Sequence, residues 1–380
     1  MPNMFVLADD LTGAAEVAGI AYTAGLSVRI IFDIRELESV TEDMVVVDSN
    51  TRSYSPVDAY NKIAAIIDQI NMDDYNFFFK KIDSVLRGRI LPEINALFSK
   101  TKFESAVLIP ANPSRNRVIQ DGKYYVDSTL LHETNFYSDP EYPRKVSDVE
   151  SLLEDGDNVI VPKWRTQNLV AGNIYIPDIV SMQDIIIANN RIKNDKVLLL
   201  GGVDFFKVLL SKQLGSHSVL YGSQKQLFIL GSYSSNRGST LDSLRKKGFT
   251  VFQLPENAIS KNQYLDKWER QIFKSLVHET KLVIAAPEKK IDLPGSSQKI
   301  TLLLSALTGR IVNLLPGKYH IYIEGGETAS SICKELNVKG LKVSECIDDG
   351  IITLKDDHNK HLFTIKPGSY NWPALLMNNI

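Results

Sequence analysis

Cysteine is scarce in this 380-residue chain, which contains only Cys333 and Cys346. Their separation matches no metal-ligand spacing, so we expect ordinary buried thiols in a protein of a reducing compartment. The six histidines form no HxxxH or HExxH pattern. A structural or catalytic zinc site therefore has little support in the sequence.

The chain also has no excess of either charge and no long apolar run. It contains 43 basic and 45 acidic residues, with a formal net charge of -2, which argues against nucleic acid or a membrane surface as the main partner. No apolar run is long enough to span a bilayer. The first four residues lack the basic and apolar regions of a signal peptide, and we expect a cytoplasmic protein.

Short strand-like runs alternate with helical stretches, a rhythm that predicts parallel sheets with crossover helices. A helix is predicted over 55–70, where a Ser-Pro start precedes isoleucines at helical spacing. We therefore predict an α/β fold with two α/β domains, each a largely parallel sheet flanked by helices. The predicted strands of both domains are 4–8, 28–32, 44–47, 77–80, 106–109, 159–161, 196–200, 226–231, 282–286 and 320–323.

A chain of this length is too long for one ordinary core and fits two domains. The polar, glycine-containing interval 211–225 separates the two cycles of strands, which predicts domains over 1–215 and 226–380 with the active site in the cleft between them. The stretch 110–143 is rich in Pro, Asn, Asp and Tyr and lacks periodicity, so we expect a functional excursion there, with a hairpin or lid over 122–140.

Two carboxylates, Asp9 and Asp10, come directly after the first predicted strand and directly before a helix. Ligands of an open α/β sheet collect beyond the carboxyl ends of its strands, so this junction is a candidate ligand site. An alternative interpretation is that Asp10 or Thr12 only caps the helix.

Mixed charges follow two further strands. Arginine can bind a carboxylate through two parallel hydrogen bonds, and aspartate can accept a hydrogen bond from a sugar hydroxyl or take its proton, so this pattern favours an anionic, hydroxylated ligand. The alternatives are a solvated turn with local salt bridges and, for Arg52, an ordinary surface arginine. The candidate residues are Arg52, Lys81, Asp83, Ser84 and Arg87. Arg115 and Arg117 could likewise face a substrate or pair with a nearby acid.

Two strands of the second half lead into small polar turns followed by helices. Glycine and serine in such turns bring backbone N–H groups and the positive end of a helix dipole to phosphates, and two turns of this kind predict a nucleotide. Neither is a Walker loop or a GxGxxG fingerprint, and Gly-Ser turns are also common connectors. The candidate residues are Ser232, Ser234, Gly325, Gly326, Glu327, Thr328 and, near the C-terminus, Gly368.

In their order along the chain, these segments resemble the four-carbon acid sugar kinase family over almost the whole sequence. The segments are VLADDLTGA, DSNTRS, KKIDSVLRG, IPANPSRNR with GKYYVDSTLLHETNFYSDP, LGSYSS, EGGETA and KPGSY. The resemblance implies an N-terminal substrate domain, a C-terminal nucleotide-binding domain and ATP-dependent phosphorylation of a tetronate or 3-oxo-tetronate.

The resemblance also implies roles for the candidate residues. Asp10 or Asp83 would orient and deprotonate the acceptor hydroxyl, and Mg²⁺ would bridge the ATP phosphates. Asp9, Lys81, Ser84 and Arg87 match the family's substrate segments, and Arg52, Lys81 and Arg87 would hold the carboxylate of the acid. ATP contacts would fall near Ser232, across 325–328 and at Gly368. Metal ligands stay open.

Three departures from the family pattern are visible. Asn116 stands where glycine is usual, Glu324 stands where serine is common, and the ending 366–370 is less rich in glycine. The first departure concerns the identity of the substrate, and the other two concern affinity for the nucleotide.

Two other functions stay open at this point. One is a non-catalytic sugar-acid-binding protein, and the other is a nucleotide-dependent enzyme that activates the carboxylate and releases AMP and pyrophosphate. The sequence does not decide the stereochemistry of the acid, the presence of a 3-oxo group or the number of subunits, and it leaves a homodimer open.

Overall fold

The structure of the chain, a computed structural model, describes residues 2–139, 141–153, 159–160, 169–192, 196–210, 225–232, 237–260, 265–276, 278–289, 291, 293, 295–314, 318–356 and 361–380. Contacts divide the chain into two compact units. The first unit contains Met1–Val17 and Ala24–Ser216, and the second contains Ala18–Thr23 and His217–Ile380.

The first unit contains a parallel sheet and a small antiparallel sheet. Its strands, in chain order, are β1 Met4–Ala8, β2 Val28–Ile31, β3 Met44–Asp48, β4 Phe77–Lys81, β5 Ser105–Ile109, β6 Arg117–Gln120, β7 Lys123–Val126, β8 Thr129–Leu130, β9 Val159–Ile160, β10 Ile174–Tyr175 and β11 Val197–Gly201. Its helices are α1 Leu11–Thr23, α2 Pro56–Ile67, α3 Ile90–Lys100, α4 Val149–Leu152, α5 Met182–Arg191 and α6 Val203–Leu210, with the last turns of α1 grouped in the second unit.

The parallel sheet of the first unit has the strand order β2-β3-β1-β4-β11-β5-β10-β9. The chain places β2 and β3 on one side of β1 and β4 on the other, so the strand order reverses between β1 and β4. In open α/β sheets such a reversal opens a crevice beyond the carboxyl ends of the strands. The acidic pair after β1 lies at this point.

Local sequence explains where the first helices begin. The Asp10 side chain accepts a hydrogen bond of 2.8 Å from the backbone N–H of Gly13, so it caps the start of α1. Ser55 caps α2 in the same way, with Pro56 in the first turn. Helix α2 buries its isoleucine face as predicted but ends at Ile67, because the chain turns at Asp68 instead of continuing to residue 70.

Residues 110–143 contain the antiparallel strands β6, β7 and β8, which form a separate three-stranded sheet. The turn into β6 has Asn116 in the left-handed region at a φ of 53°. A conformation of this kind is accessible to glycine and asparagine, so the Asn116 that departs from the family pattern still fits its turn.

The second unit contains one mixed sheet of order β13-β14-β12-β15-β18-β17-β16. Its strands are β12 Gln226–Leu230, β13 Thr250–Gln253, β14 Lys281–Ala285, β15 His320–Glu324, β16 Gly340–Asp348, β17 Ile351–Lys355 and β18 Leu362–Lys366. Its helices are α7 Arg237–Lys246, α8 Glu256–Ser260, α9 Leu265–Leu276, α10 Ser296–Leu314, α11 Gly326–Glu335 and α12 Ala374–Asn379. Strands β12 to β15 and β18 pair in parallel, while β17 pairs antiparallel with both β16 and β18.

The α/β class and the parallel sheets flanked by helices are confirmed. Each predicted strand overlaps an observed one, although residue 161 and the interval 211–224 lie outside the described residues. The expectation of two buried thiols is wrong for Cys346, which is half-buried, whereas Cys333 is buried, and both thiols are free. Among the helices that the structure describes, none has the length and apolar character needed to cross a membrane.

Candidate functional site

The first unit brings charged side chains together where β1, β3 and β4 end. Six residues form what we term the charge cluster: Asp9, Asp10, Arg52, Asp83, Arg87 and Asp139. Parallel strands end at one edge of the sheet, so side chains that are distant in sequence meet there. The candidate residues of three separate segments therefore lie in one network.

Arg52 binds both carboxylates that follow β1. Its Nε donates to Asp9 Oδ2 at 2.8 Å, while Nη1 and Nη2 donate to the two oxygens of Asp10 at 2.7 and 2.9 Å. Nη1 also lies 3.9 Å from Asp83 Oδ1. The backbone N–H of Arg52 donates to the Asp9 carbonyl at 3.3 Å. Arg52 is therefore an internal partner of the acidic pair, and the surface interpretation is wrong because its side chain is mostly buried.

Asp83 and Arg87 form a second pair within one tight turn. Arg87 donates from Nε and Nη2 to the two oxygens of Asp83 at 3.0 and 2.8 Å, and Nη1 donates to Asp139 Oδ2 at 3.0 Å. Asp83 also accepts the backbone N–H groups of Val85 and Arg87. Leu86 adopts a left-handed φ of 62° in this turn, which is unusual for a bulky residue and is held by hydrogen bonds to both its N–H and its carbonyl.

The three aspartates after β1 and β4 have different acidities. Burial raises the pKa of Asp10, Arg52 opposes that rise, and the negative charge of Asp9 adds to it, so the net change is upward. Burial alone would raise the pKa of Asp9, but Arg52 and Lys80 lower it on balance. For Asp83, Arg87 and Arg52 outweigh burial and hold the pKa well below its usual range. Asp10 is the one of the three that is driven towards protonation.

Lys81 lies beside the charge cluster, paired with an acid of helix α1. Its Nζ is 3.2 Å from Glu16 Oε2, and the other oxygen of Glu16 accepts a bond of 2.8 Å from Arg115 Nη1. Space for the lysine depends on Gly13, where an added Cβ would lie 3.2 Å from Lys81 Nζ and 2.9 Å from Asp10 Oδ1. The chain thus presents two cations, Lys81 and Arg115, around one carboxylate.

A buried ion pair lies beneath the loop that carries Arg52. Lys80 Nζ is 2.6 Å from Glu93 Oε2, and both side chains are 1% exposed. The Thr51 hydroxyl donates a very short hydrogen bond to Glu93 Oε1, and the Thr51 N–H donates to the Asp9 carbonyl at 3.0 Å. Helix α3 is thereby linked through Thr51 to the loop between β3 and α2.

The excursion 110–143 contributes further groups to this region. Arg117 Nη1 donates a very short hydrogen bond to Ser84 Oγ, and the Phe136 ring lies 5.6 Å from the Arg117 guanidinium and 5.8 Å from that of Arg87. Tyr142 donates from its hydroxyl to the Arg52 carbonyl. Described residues of the excursion therefore contact the charge cluster at several points.

In the second unit, three strand ends bring together the predicted nucleotide residues. Gly325 has a φ of 99° and its N–H donates to the Lys366 carbonyl at 2.8 Å. A Cβ at Gly368 would lie 3.2 Å from Ser232 Cβ and 3.9 Å from Gly325 Cα. Thr328 faces Gly231, where a Cβ would lie 2.5 Å from its Oγ1. The turns after β12, β15 and β18 thus form a glycine-lined surface of close-packed backbone.

Two of the departures from the family pattern contact each other. Glu324 Oε2 lies 3.2 Å from Lys366 Nζ, with side-chain exposures of 4% and 1%, and Glu324 Oε1 accepts a very short hydrogen bond from Ser232 Oγ. Burial lowers the pKa of Lys366, although Glu324 opposes that change. Lys366 is buried at the end of β18, so its amine is held within the fold.

The described residues therefore place the predicted substrate residues in or beside the charge cluster, and place Ser232, Gly325, Thr328 and Gly368 at one edge of the second sheet. Gly326 is buried and Glu327 exposed in the first turn of α11. Ser234 lies outside the described residues. Within the described part of the chain, no three His, Cys, Asp or Glu side chains lie close enough to share a metal ion.

Several residues of the site were missed in the sequence. Glu16, Thr51 and Glu93 showed no motif because their partners lie on other elements. Asp139 lay within the predicted lid, but no local pattern indicated a contact with Arg87. The one available signal was Lys80, because a lysine inside an apolar strand needs a buried carboxylate as its partner.

Two family models match this chain, one in each half of the sequence. Residues 4–201 match the family described as "Sugar-binding N-terminal domain", and residues 227–370 match "Nucleotide-binding C-terminal domain". The first match contains the charge cluster, and the second contains the glycine-lined turns. The two matches together cover most of the chain.

Curated relatives and a solved structure extend the comparison over nearly all of the chain. The chain is 21% identical to the D-erythronate kinase of Heliobacterium modesticaldum, covering 91% of this chain and 88% of the relative. It is 22% identical to the 3-oxo-tetronate kinase of Haemophilus influenzae, covering 96% of each. A solved protein of Salmonella typhimurium shares the fold with a TM-score of 0.73 and 19% identity, over 98% of this chain and 96% of that one.

Proposed function

Because the chain belongs to the four-carbon acid sugar kinase family and is a phosphotransferase, we propose that it transfers the γ-phosphoryl group of ATP to a hydroxyl group of a tetronate or 3-oxo-tetronate. The observation that carries this proposal is the charge cluster at the strand reversal of the sugar-binding unit, where carboxylates and guanidinium groups lie together. Such a set can orient a hydroxylated acid through charge-assisted hydrogen bonds.

Asp10 is our candidate for the general base. A base that works near neutral pH benefits from a raised pKa, and burial together with Asp9 raises the pKa of Asp10. Asp83 is less suited to this role because Arg87 and two backbone N–H groups hold its carboxylate in the charged form. We assign to Asp83 the task of fixing the orientation of Arg87.

The carboxylate of the acid would bind to Arg87 and Lys81. Arg52 is already bound to Asp9 and Asp10 through three hydrogen bonds, so we propose that it positions the acidic pair. Asp9 Oδ1 is buried and has no hydrogen-bond partner among the described residues. This oxygen and the Ser84 hydroxyl are our candidates for binding hydroxyl groups of the sugar.

ATP would bind in the second unit at the glycine-lined turns. Gly325 and Gly368 have no side chains, so phosphates can approach the backbone closely there. The N-terminus of α11 adds the positive end of a helix dipole, which favours the negative phosphates. We propose that Ser232, Gly326, Glu327 and Thr328 contribute to this site, as would Ser234. Mg²⁺ would arrive with the nucleotide, since this ion needs only one or two carboxylates besides phosphate oxygens and water.

An assay of products tests the proposal. The purified chain is mixed with ATP, Mg²⁺ and, in turn, D-threonate, D-erythronate and the corresponding 3-oxo acids, and nucleotides are separated by chromatography. We expect ADP and a phosphorylated acid with at least one of these acceptors. Release of AMP and pyrophosphate would identify a carboxylate-activating enzyme, and tight binding without any product would identify a binding protein.

A further inference from the structure

Arg87, the proposed ligand of the substrate carboxylate, is already bound to two acids of its own chain. Asp83 takes the Nε and Nη2 edge of the guanidinium group, and Asp139 takes Nη1 at 3.0 Å. A guanidinium group binds carboxylates along its edges in the plane of the fork. A substrate carboxylate that binds along an edge of Arg87 meets Asp83 at one edge and Asp139 at Nη1, so we expect it to compete with one of them.

The charges around Arg87 also disfavour a sugar acid that binds there while both Asp83 and Asp139 remain in place. The ion-paired network contains four carboxylates and two guanidinium groups. Of the cations beside it, Lys80 and Lys81 pair with Glu93 and Glu16, and Arg117 donates to the Ser84 hydroxyl. A sugar acid bound to Arg87 would place its negative charge beside the carboxylates of Asp83 and Asp139. Like charges at short distance in a mostly buried site cost free energy, so displacement of one carboxylate would favour binding.

Asp139 is the acid that can be displaced with the least disturbance. Asp9, Asp10 and Asp83 follow strands of the parallel sheet, and each has further bonds or burial that fix it there. Asp139 instead belongs to the excursion. Its Oδ1 accepts the N–H groups of Glu141 and Tyr142, and only its Oδ2 binds Arg87. The turn at Asp139 can thus persist while the bond to Arg87 is broken.

We propose that Asp139 is an internal competitor that occupies the carboxylate position at Arg87 until a sugar acid displaces it. This inference rests on the proposed function, because it assumes that Arg87 binds the acid. Ligands that carry a carboxylate replace the lost ion pair, whereas uncharged polyols of the same length do not. An uncharged polyol therefore leaves Asp139 bound to Arg87, and Asp139 lowers the affinity only for a ligand whose carboxylate displaces it.

The test compares Asp139→Asn with the wild-type chain and with Glu141→Gln, which removes the same charge from an exposed residue two positions away. Asparagine keeps an oxygen for the two N–H groups of the turn. Calorimetric titration with D-threonate, D-erythronate and uncharged erythritol measures affinity. We expect Asp139→Asn to bind an acid about tenfold more tightly, since a competing hydrogen bond between charged groups is lost. Erythritol binding should not increase to the same degree, and Glu141→Gln should match the wild type.

Unchanged or weaker binding of the acid by Asp139→Asn would show that Asp139 supports the site instead of competing for it. If no protein binds any acid and no ADP forms, the proposed function fails, and a second readout still decides about Asp139. Modification of Arg87 by phenylglyoxal, followed by peptide mass spectrometry, reports access to its guanidinium group without any substrate. We expect faster modification in Asp139→Asn than in either control, and an equal rate would overturn the inference.

Discussion

Two aspartates of the same sheet edge differ because of the groups that surround them. Asp83 is surrounded by donors from its own turn, and its pKa falls well below the usual range. Asp10 shares a single guanidinium group with Asp9, and its pKa rises. Two aspartates at similar positions after neighbouring strands therefore have different pKa values, because desolvation and neighbouring charges set the proton affinity of each carboxylate.

Asp10→Asn should reduce turnover by roughly 10²- to 10⁴-fold, the range for loss of a positioned acid or base. The wild-type activity should fall as pH decreases through the pKa of Asp10, because the base must be ionised, and this pKa lies above the ordinary value for aspartate. The measurement is a pH profile of kcat under saturating ATP and sugar acid. In Asp10→Asn the acidic limb of that profile should disappear.

Asp83→Asn is the matched control for this prediction. It removes a partner of Arg87, so it should raise KM for the acid more than it lowers kcat, and the acidic limb of the kcat profile should remain. A wild-type turnover in Asp10→Asn together with an inactive Asp83→Asn would exchange the two roles. Single-turnover measurements separate the chemical step from product release.

At the scale of elements, the loop between β3 and α2 depends on a buried network that reaches helix α3. Thr51 connects this loop to Glu93, which is paired with Lys80. Burial raises the pKa of Glu93, and the positive charge of Lys80 opposes that change. A buried pair of this kind contributes little net stability, but removal of one partner leaves an unsatisfied group.

Thr51→Val should destabilise the protein by about 1–3 kcal/mol, the cost of leaving a buried acceptor unsatisfied. The substitution keeps the shape of the side chain but removes the hydroxyl that bonds Glu93, and kcat should fall because the adjacent Arg52 is less well held. Chemical denaturation and steady-state kinetics measure the two effects. Thr51→Ser restores the hydroxyl and should recover most of both, so equal behaviour of the two variants would contradict this role.

A strand or helix could be predicted where residues close together in sequence define it, and was harder to predict where its pairing depends on residues elsewhere in the chain. Most of the parallel strands were predicted from continuous apolar runs, as for Phe77–Lys81 and His320–Glu324. Three further strands that pair in parallel were missed: Ile174–Tyr175, Thr250–Gln253 and Leu362–Lys366. The antiparallel strands Gly340–Asp348 and Ile351–Lys355 were missed because polar residues interrupt them, and their pairing is specified by a two-residue connection instead of an apolar run. Segments of the site could be found in sequence, but pairings such as Arg52 with Asp10 arise only when distant strand ends meet.

At the scale of the whole molecule, each of the two units has its own candidate ligand site. The residues of the charge cluster all belong to the first unit, and the glycine-lined turns all belong to the second. Substitutions in one site should therefore change the affinity for one ligand and leave the other ligand bound. Calorimetric titration of each ligand alone measures the two affinities separately.

Gly325→Val should weaken ATP binding by about tenfold or more, because a β-branched residue at a φ of 99° is strained and would intrude on the phosphates. Sugar-acid affinity should be unchanged. Arg87→Ala should do the opposite and weaken acid binding by about 2–5 kcal/mol, as for truncation of one partner of a buried charge pair.

Gly248→Val is the control for backbone strain. Gly248 belongs to the same unit and has a φ of 82°, and no atom within 4 Å would meet its Cβ. It should lower stability to a similar degree as Gly325→Val while ATP still binds. Loss of ATP binding in both variants would attribute the effect to unfolding instead of to the glycine-lined turns.

The pairing of Glu324 with Lys366 affects how the chain can change over evolutionary time. A serine at residue 324 alone would remove the carboxylate that pairs with the buried Lys366 amine, and loss of Lys366 alone would remove the cation that pairs with the buried Glu324 carboxylate. Each single change should therefore lower the stability of the fold, so we expect the two positions to change together. The two residues are 42 positions apart in sequence but form one ion pair. The change in stability caused by either substitution alone would therefore differ from the change caused by substituting both.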